Sequence, residues 1–488
     1  MKTSWFALPL VFLFLAACGQ CSRDEAPEIP EIPEPAEGSA TTAGAGQAAE
    51  EQAPARPAIV HDAPPESADV AFTRVEGDWT QQRGDAHRSG VRVAPSIRTP
   101  SIAWSIEVGI QGYANTPVLY QGGVYVSSQG DQHNMADERD GVYALDPETG
   151  AILWHFRTPQ DANGMAIYGG TLIVGTDHGT LHAISPADGA ELWNAELKCP
   201  VIQPPSHHDG QLYLLRREGW ITVSLADGTV EGDVESCLRS ERGVVIATEE
   251  RLIRAPTRDV PSAFTHEGDA EWEGAQVTER SNGRGRWQWP LMTSSLMIQT
   301  VHRWPRVDDA GTTRHAPAVV ARWLDNGQVA WVWDLDSDAL AEPLDEGCPD
   351  FQRSAPFAAG ERLFMPLTNG PHVAVADIKT GAPLGSVELP DCRCRQFAAM
   401  VGTEEVGYLA RHDGLLYGID LATLEVLWSV NVGMHGVAGT RETHNPIAGG
   451  CTERPKDGTA LFSTPAIAES GRLYVGSGDG WIYAVDPS

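Results

Sequence analysis

The chain has 488 residues, enough for one large repeat domain or two to three ordinary ones. With 66 acidic against 35 basic side chains its formal net charge is −31, and Lys2, Lys198, Lys379 and Lys456 are its only lysines. So acidic a surface repels phosphate backbones, which argues against a nucleic-acid partner, and it keeps a monomer soluble.

Residues 1–17 carry Lys2 and an apolar run from Trp5 to Leu15. That run is too short to span a bilayer as a mature helix and has the layout of a secretory signal. It ends in Leu15-Ala16-Ala17-Cys18, which resembles a bacterial lipobox. By that resemblance Cys18 is lipidated and becomes the first mature residue, and Gly19 beside it favours the outer over the inner membrane. Residues 18–71 then interleave Pro27, Pro30, Pro33 and Pro35 with Glu25, Glu28, Glu31, Glu34 and Glu37. Such a stretch buries too little apolar surface to offset chain entropy, and its like charges repel, so it is expected to be a disordered tether. Cys21 within it is expected to be a free thiol.

The folded body is expected over 72–488. It opens with Asp78-Trp79-Thr80-Gln81-Gln82-Arg83-Gly84-Asp85, closed by Gly90, and continues into a strand, Ser101 to Ile106, that has no partner nearby in the chain. Four-stranded units follow. The first holds Val118 to Tyr120, Val124 to Ser127, Val142 to Asp146 and Ala151 to Phe156; the second ends at Trp193, which lies 193 − 154 = 39 residues after Trp154. That period suits a four-stranded blade. Units three and six follow, unit four is degenerate, with only Val244 to Thr248, Arg251 to Ala255 and a late Asp269 to Trp272, and unit five is interrupted by an insertion near Arg303 to Pro317. Unit seven ends at Trp428, and a long loop, Gly433 to Gly458, precedes unit eight. The eighth unit stops at Asp486-Pro487-Ser488, one strand short of the others. The orphan strand around Trp104 fits the vacancy. The expected fold is therefore all-β: an eight-bladed β-propeller of four-stranded blades whose ring is closed by an N-terminal strand, leaving no free seam.

The repeated phrase Tyr-Val-x-Ser, Asp-Gly-x-Tyr-Ala-Leu-Asp-x-x-Thr-Gly-x-x-x-Trp is similar to the pyrroloquinoline-quinone-like repeat, over about residues 79–488. The resemblance implies one of two classes. One comprises quinoprotein dehydrogenases. The other comprises non-catalytic propellers, among them the lipoprotein subunit of the outer-membrane β-barrel assembly machinery, an eight-bladed ring. Lipobox, tether and blade count match the second class. In the first, the planar quinone lies between a tryptophan and, in many members, a disulfide of adjacent cysteines, with a metal ion and an aspartate base. This chain has no adjacent cysteine pair, Cys392-Arg393-Cys394 being the nearest approach, and no residue maps onto the aspartate.

Cys199, Cys237, Cys348, Cys392, Cys394 and Cys451 all fall between the last strand of one unit and the first of the next. An exported protein can oxidise them. Blade adjacency favours Cys199–Cys237, Cys348 with Cys392 or Cys394, and the remaining one with Cys451; the alternative is a metal cluster of Cys348, Cys392, Cys394 and Cys451. His207-His208-Asp209 could ligate a metal, but the Asp-Gly turn that follows favours reading it as part of a turn, and His435, His444 and Cys451 share one loop as a weak metal signal. Trp154, Trp193, Trp331 and Trp428 end blades and are expected to pack between them. Gln129 to Asp140, Arg303 to Pro317 and Gly433 to Gly458 are candidate partner-contact loops on a rigid scaffold. The expectation is a lipid-anchored envelope scaffold that binds protein partners, such as β-barrel assembly components, and works without catalytic, cofactor or metal residues. The alternatives are a quinone-dependent dehydrogenase using pyrroloquinoline quinone with calcium, and a surface-exposed ligand-binding or adhesion propeller.

Overall fold

A computed structural model describes residues 70–112, 114–216, 219–234, 243–256, 261–274, 290–307, 313–335, 354–367, 371–389, 398–411, 413–433, 461 and 463–488. They form eight four-stranded antiparallel sheets, each running from an inner first strand to an outer last strand. Blade 1 consists of Val118–Tyr120, Gly123–Gln129, Asp140–Leu145 and Ile152–Arg157. Blades 2 to 7 repeat that order, their first and last strands being Ala162–Tyr168 and Glu191–Glu196, Ser206–His208 and Val230–Glu231, Gly243–Ala247 and Ala270–Glu273, Leu291–Met292 and Val329–Asp334, Phe357–Ala359 and Pro383–Glu388, and Val401–Gly402 and Val426–Asn431.

Blade 8 is assembled from both ends of the described chain. Ala466–Ile467, Leu473–Gly476 and Trp481–Pro487 supply three strands, and Pro100–Glu107 adds the fourth, with Pro100 opposite Pro487 and Glu107 opposite Trp481. The expected clasp is thus present, with Trp104 in its closing strand.

The burial follows from stacking sheets face to face. In blade 1 nearly every residue of the two middle strands is buried, which is why they read as continuous apolar runs; the outer strand Ile152–Arg157 alternates between exposed and half-buried. Two-residue turns join first to second strands at Gln121-Gly122, Gly169-Gly170 and Asp209-Gly210, all with positive φ at both positions, the type I′ geometry that matches strand twist. The third-to-fourth turns use Asp-x-x-Thr-Gly. Asp146 Oδ1 accepts from the backbone N–H of Glu148 and Thr149 and from the Thr149 hydroxyl, and Asp377 does the same with Lys379 and Thr380. Those donors hold the Asp146 carboxyl below the usual carboxylate range, the Thr149 hydroxyl contributing most.

The expected tryptophans do pack between blades, and with one geometry. Each sits on the glycine of the Asp-x-x-Thr-Gly turn, or its equivalent, in the next blade, and its indole N–H donates to a carbonyl there. Trp104 meets Gly150 and Pro147 O (2.9 Å), Trp154 meets Gly189 and Pro186 O (3.1 Å), and Trp193 meets Gly228 and Leu225 O (2.9 Å). Trp272 and Trp331 repeat this on blades 5 and 6. Blade 8 has no such turn, because its outer strand comes from elsewhere; Trp428 donates instead to Ile97 O at 2.8 Å, just before the closing strand.

Three sequence expectations need correction. Blade 4 has a short third strand, Ser262–Phe264, which has too few residues to show alternation. The Arg303 to Pro317 insertion does not interrupt blade 5: Leu296–Val307 and Thr313–Trp323 continue pairing as one long hairpin. His207 and His208 belong to the inner strand of blade 3, with only Asp209 in the turn. Their rings stack on Tyr168 and His266, at centroid distances of 5.0 and 3.8 Å.

Candidate functional site

Antiparallel order divides the ring's loops between two faces. Connections between second and third strands, and from one blade's outer strand to the next blade's inner strand, emerge on one face, called here the loop face. The short first-to-second and third-to-fourth turns emerge on the other, the turn face.

Around the axis, inner strands are tied to one another by short polar contacts. Ser463 Oγ donates to Asn115 O (2.6 Å), Asn115 Nδ2 to Ala162 O (2.8 Å), and Gly164 N to Ile202 O (3.0 Å). Ala247 N donates to Ser206 Oγ (2.8 Å), Ser354 Oγ to Ala398 O (2.8 Å), and Ala399 N to Thr464 Oγ1 (3.0 Å). These bonds link blade 8 to 1, 1 to 2, 2 to 3, 3 to 4, 6 to 7 and 7 to 8. Small polar side chains fit because inner strands converge there, and bonding satisfies groups that burial would otherwise penalise.

On the turn face the channel is filled by the chain's own segment from Ala71 to Arg92. Trp79, fully buried, exchanges two backbone bonds with Leu119 of blade 1, and Thr80 O accepts from Ile167 N of blade 2. Ala71 O and His87 O accept from Ser294 N and Met292 N of blade 5, and Gly90 O accepts from Gly402 N of blade 7. Arg83 Nη1 donates to Pro356 O (2.8 Å) and Nη2 to Pro290 O (3.3 Å); Arg92 Nη1 donates to Ile467 O (3.1 Å) of blade 8. One segment therefore bonds to six blades. Burial, with the Arg88 charge close by, pushes the Arg83 guanidinium down to about 9, so it stays protonated at neutral pH. The Trp79 to Gly90 phrase was visible in the sequence, but nothing in its spacing indicates that it crosses the channel.

The loop face is where the variable chain lies. The Gln129 to Asp140 loop, the long blade 5 hairpin and Gly433, where the connection to blade 8 begins, all emerge on it; the remainder of Gly433 to Gly458 lies outside the described residues. The first of these is fully described. Asn134, at positive φ, donates its N–H to both oxygens of buried Asp161 at 3.1 Å, folding the loop towards blade 2. Arg139 pairs with Glu107 at 2.6 Å, and Met135 at the tip is 53% exposed. The sequence singled out this loop by length alone; its inward-facing acidic side had no motif to announce it.

Cys199 lies on the same face and is disulfide-bonded. It is the only cysteine among the described residues, and its Sγ is 3.7 Å from the carbonyl oxygen of Val234, three residues before Cys237. Peptide mapping of non-reduced protein is expected to recover Cys199 linked to Cys237; linkage to any other cysteine refutes that pairing. Cys18, Cys237, Cys348, Cys392, Cys394, Cys451, His435 and His444 lie outside the described residues.

The described channel residues do not fit a quinone sandwiched as the repeat resemblance implies. Trp79 is packed within the turn-face segment, and the blade tryptophans face neighbouring blades. The channel-lining serines, threonines and Asn115 bond to adjacent inner strands, and Arg83 is engaged by two carbonyls.

Comparison with known proteins agrees on the architecture. Residues 138–296 match a family model described as outer membrane protein assembly factor BamB. The curated BamB of Xanthomonas campestris pv. campestris is 27% identical over 130 residues, 24% of this chain; the match spans only 30% of that relative's length. The crystal structure of BamB from Moraxella catarrhalis superposes with a TM-score of 0.54 at 13% identity, covering 80% of this chain and all of that one. Quinohemoprotein alcohol dehydrogenase from Comamonas testosteroni superposes with a TM-score of 0.58 at 14% identity, over 84% of this chain and 80% of that one. At such identities the superpositions show the fold alone. Repeat phrase, blade count and these matches together make the chain an eight-bladed propeller of the pyrroloquinoline-quinone-like type, similar to outer membrane protein assembly factor BamB.

Proposed function

We propose that this chain is a non-catalytic, protein-binding scaffold, held at the bacterial outer membrane through a lipid on Cys18 and presenting its loop face to an envelope partner. The observation that carries the reading is the asymmetry of the ring. One mouth of the channel is filled by the Ala71 to Arg92 segment, while the long connections gather at the other face. Rigid rings with variable loops on one side suit recognition, and fold alone assigns no chemistry. The similarity to BamB supports β-barrel assembly components as the partner class, and the Leu15 to Cys18 phrase supports the anchor.

Co-purification from membranes after mild cross-linking tests the reading. β-Barrel assembly components are expected with the parent chain and are expected to be lost when Gln132 to Glu138 is replaced by a short Gly-Ser turn. Capture that survives loop replacement removes this loop from the proposed contact. Recovery of other envelope proteins alone favours the adhesion or ligand-binding reading. Saturable binding of pyrroloquinoline quinone with calcium, together with turnover of an alcohol or sugar, would replace the scaffold by a dehydrogenase.

A further inference from the structure

The loop face holds a group of ligating side chains that the scaffold reading does not use. His133, Asp161 and Asp177 come from three separate connections: the Gln129 to Asp140 loop, the link from blade 1 to blade 2, and the second-to-third turn of blade 2. One ligating atom from each lies within 4.8 Å of the other two. His133 Nδ1 is 2.5 Å from Asp161 Oδ2, and the Asp161 side chain is fully buried. Asp177 Oδ1 is oriented by Asn163 Nδ2 at 2.8 Å.

A second, independent feature points into this group. Asp140 has no solvent exposure; its Oδ2 accepts from Asp137 N at 2.9 Å, and its Oδ1 has no hydrogen-bond partner among the described residues. Directly opposite residues of an antiparallel pair project to one side of the sheet. Asp140 is opposite Gln129, whose Nε2 meets Asn163, the residue that orients Asp177. Asp140 therefore projects towards blade 2. In blades 7 and 8 the residue four places before the third-strand tyrosine is an aspartate, Asp413 or Asp479, which accepts from the Tyr417 or Tyr483 hydroxyl at 2.6 and 2.7 Å. In blade 1 that place is taken by Arg139, whose carbonyl accepts from the Tyr143 hydroxyl, and Asp140 lies one residue further on, with no bond to the tyrosine. Asp140 and Asp161 are buried and Asp177 is half-buried, so three carboxyl groups gather in a poorly solvated place, where a cation is the stabilising occupant.

We propose that His133, Asp161 and Asp177, with Asp140 behind them, form a binding site for a first-row divalent cation that fastens the Gln129 to Asp140 loop to blade 2. One imidazole nitrogen with carboxylate oxygens suits Zn²⁺ or Mn²⁺ better than the all-oxygen preference of Ca²⁺ or Mg²⁺. His133 and Asp161 move apart slightly to admit the ion, because ligand atoms about 2.1 Å from a metal stand further apart than hydrogen-bonded ones. The loop so fastened is the one offered above as a partner contact, but the site exists whether or not that contact does.

The test uses the full chain, stripped of ions by a chelator that is then removed, and titrated separately with Mn²⁺ and Zn²⁺. Mn²⁺ is followed by loss of the free-ion paramagnetic signal, a probe for which cysteine thiols compete poorly. One saturable equivalent is expected, weakened at least ~10-fold by His133→Ala and by Asp177→Asn. Trypsin cleavage after Arg139 is expected to slow several-fold on binding in the parent and not in His133→Ala. His133 lies in a surface loop, so that variant is expected to melt like the parent without ions, which separates lost binding from lost fold. Absence of saturable binding of either ion by folded parent chain overturns the proposal. So does equal affinity in both variants, because the ion then sits elsewhere.

Discussion

A chain beginning at Val108, without the closing strand, is expected to yield aggregated or partly folded material with no single cooperative melt. Pro100–Glu107 pairs along its whole length with Trp481–Pro487, and removing it exposes the backbone edge of blade 8. It also removes Trp104, whose ring lies on Gly150 and 5.8 Å from Tyr474, and so separates blade 8 from blade 1. Loss of a packed tryptophan alone costs about 3 kcal/mol, and here the seam it sealed is lost with it. The informative companion is a chain starting at Val108 in which residues 100–107 are appended after Ser488 through an Asp-x-x-Thr-Gly turn. Pro100 already lies opposite Pro487, so a hairpin can join them. That rearranged chain is expected to elute as a monomer and to melt cooperatively, though below the parent, because the channel segment with Trp79 and Arg83 is still missing. Gel filtration and thermal circular dichroism read both outcomes. A truncated chain that melts like the parent would show that the clasp does not hold the ring.

The second large effect is expected at a single methyl group. Gly189 has a φ of +74°, and a Cβ there would come within 2.8 Å of the Trp154 ring; Gly210 has the same φ with nothing within 4 Å. Gly210→Ala therefore isolates the backbone penalty, about 1 kcal/mol. Gly189→Ala adds a clash that must push Trp154 off its seat between blades 1 and 2, and is expected to cost ~3 kcal/mol or more. The midpoint of urea denaturation should fall clearly further for Gly189→Ala. Equal shifts for the two variants would mean that the tryptophan seat adapts freely and contributes little to blade cohesion.

Much of this architecture was legible because the repeat states it several times. Tyr-Val-x-Ser in blades 1 and 8 and the Trp at the end of a unit each occupy one structural position, so blades 1, 2, 7 and 8 declare themselves, and the unowned strand around Trp104 follows from the missing last strand. Legibility failed where local pattern is not the cause. Ser262–Phe264 forms a strand because its neighbours in blade 4 supply the ladder, not because three residues carry a signal. The Ala71 to Arg92 segment is shaped by six blades it meets only after the ring exists. The group of His133, Asp161 and Asp177 spans three connections and more than forty residues. Its one sequence clue is that Asp140 stands three residues before its tyrosine, where Asp413 and Asp479 stand four before theirs.

The clasp also sets an order of events. The strand Pro100–Glu107 is made well before its partner Trp481–Pro487, which lies almost four hundred residues further along the chain. Until then the early strand waits with an unpaired edge, beside seven blades that can form progressively from local hairpins. Closing the ring joins segments separated by nearly the whole folded length, the slowest kind of contact to establish and the one most open to pairing with a neighbouring chain. Until Trp481–Pro487 pairs with it, the edge of Pro100–Glu107 is the exposed edge through which two copies of this chain could exchange strands.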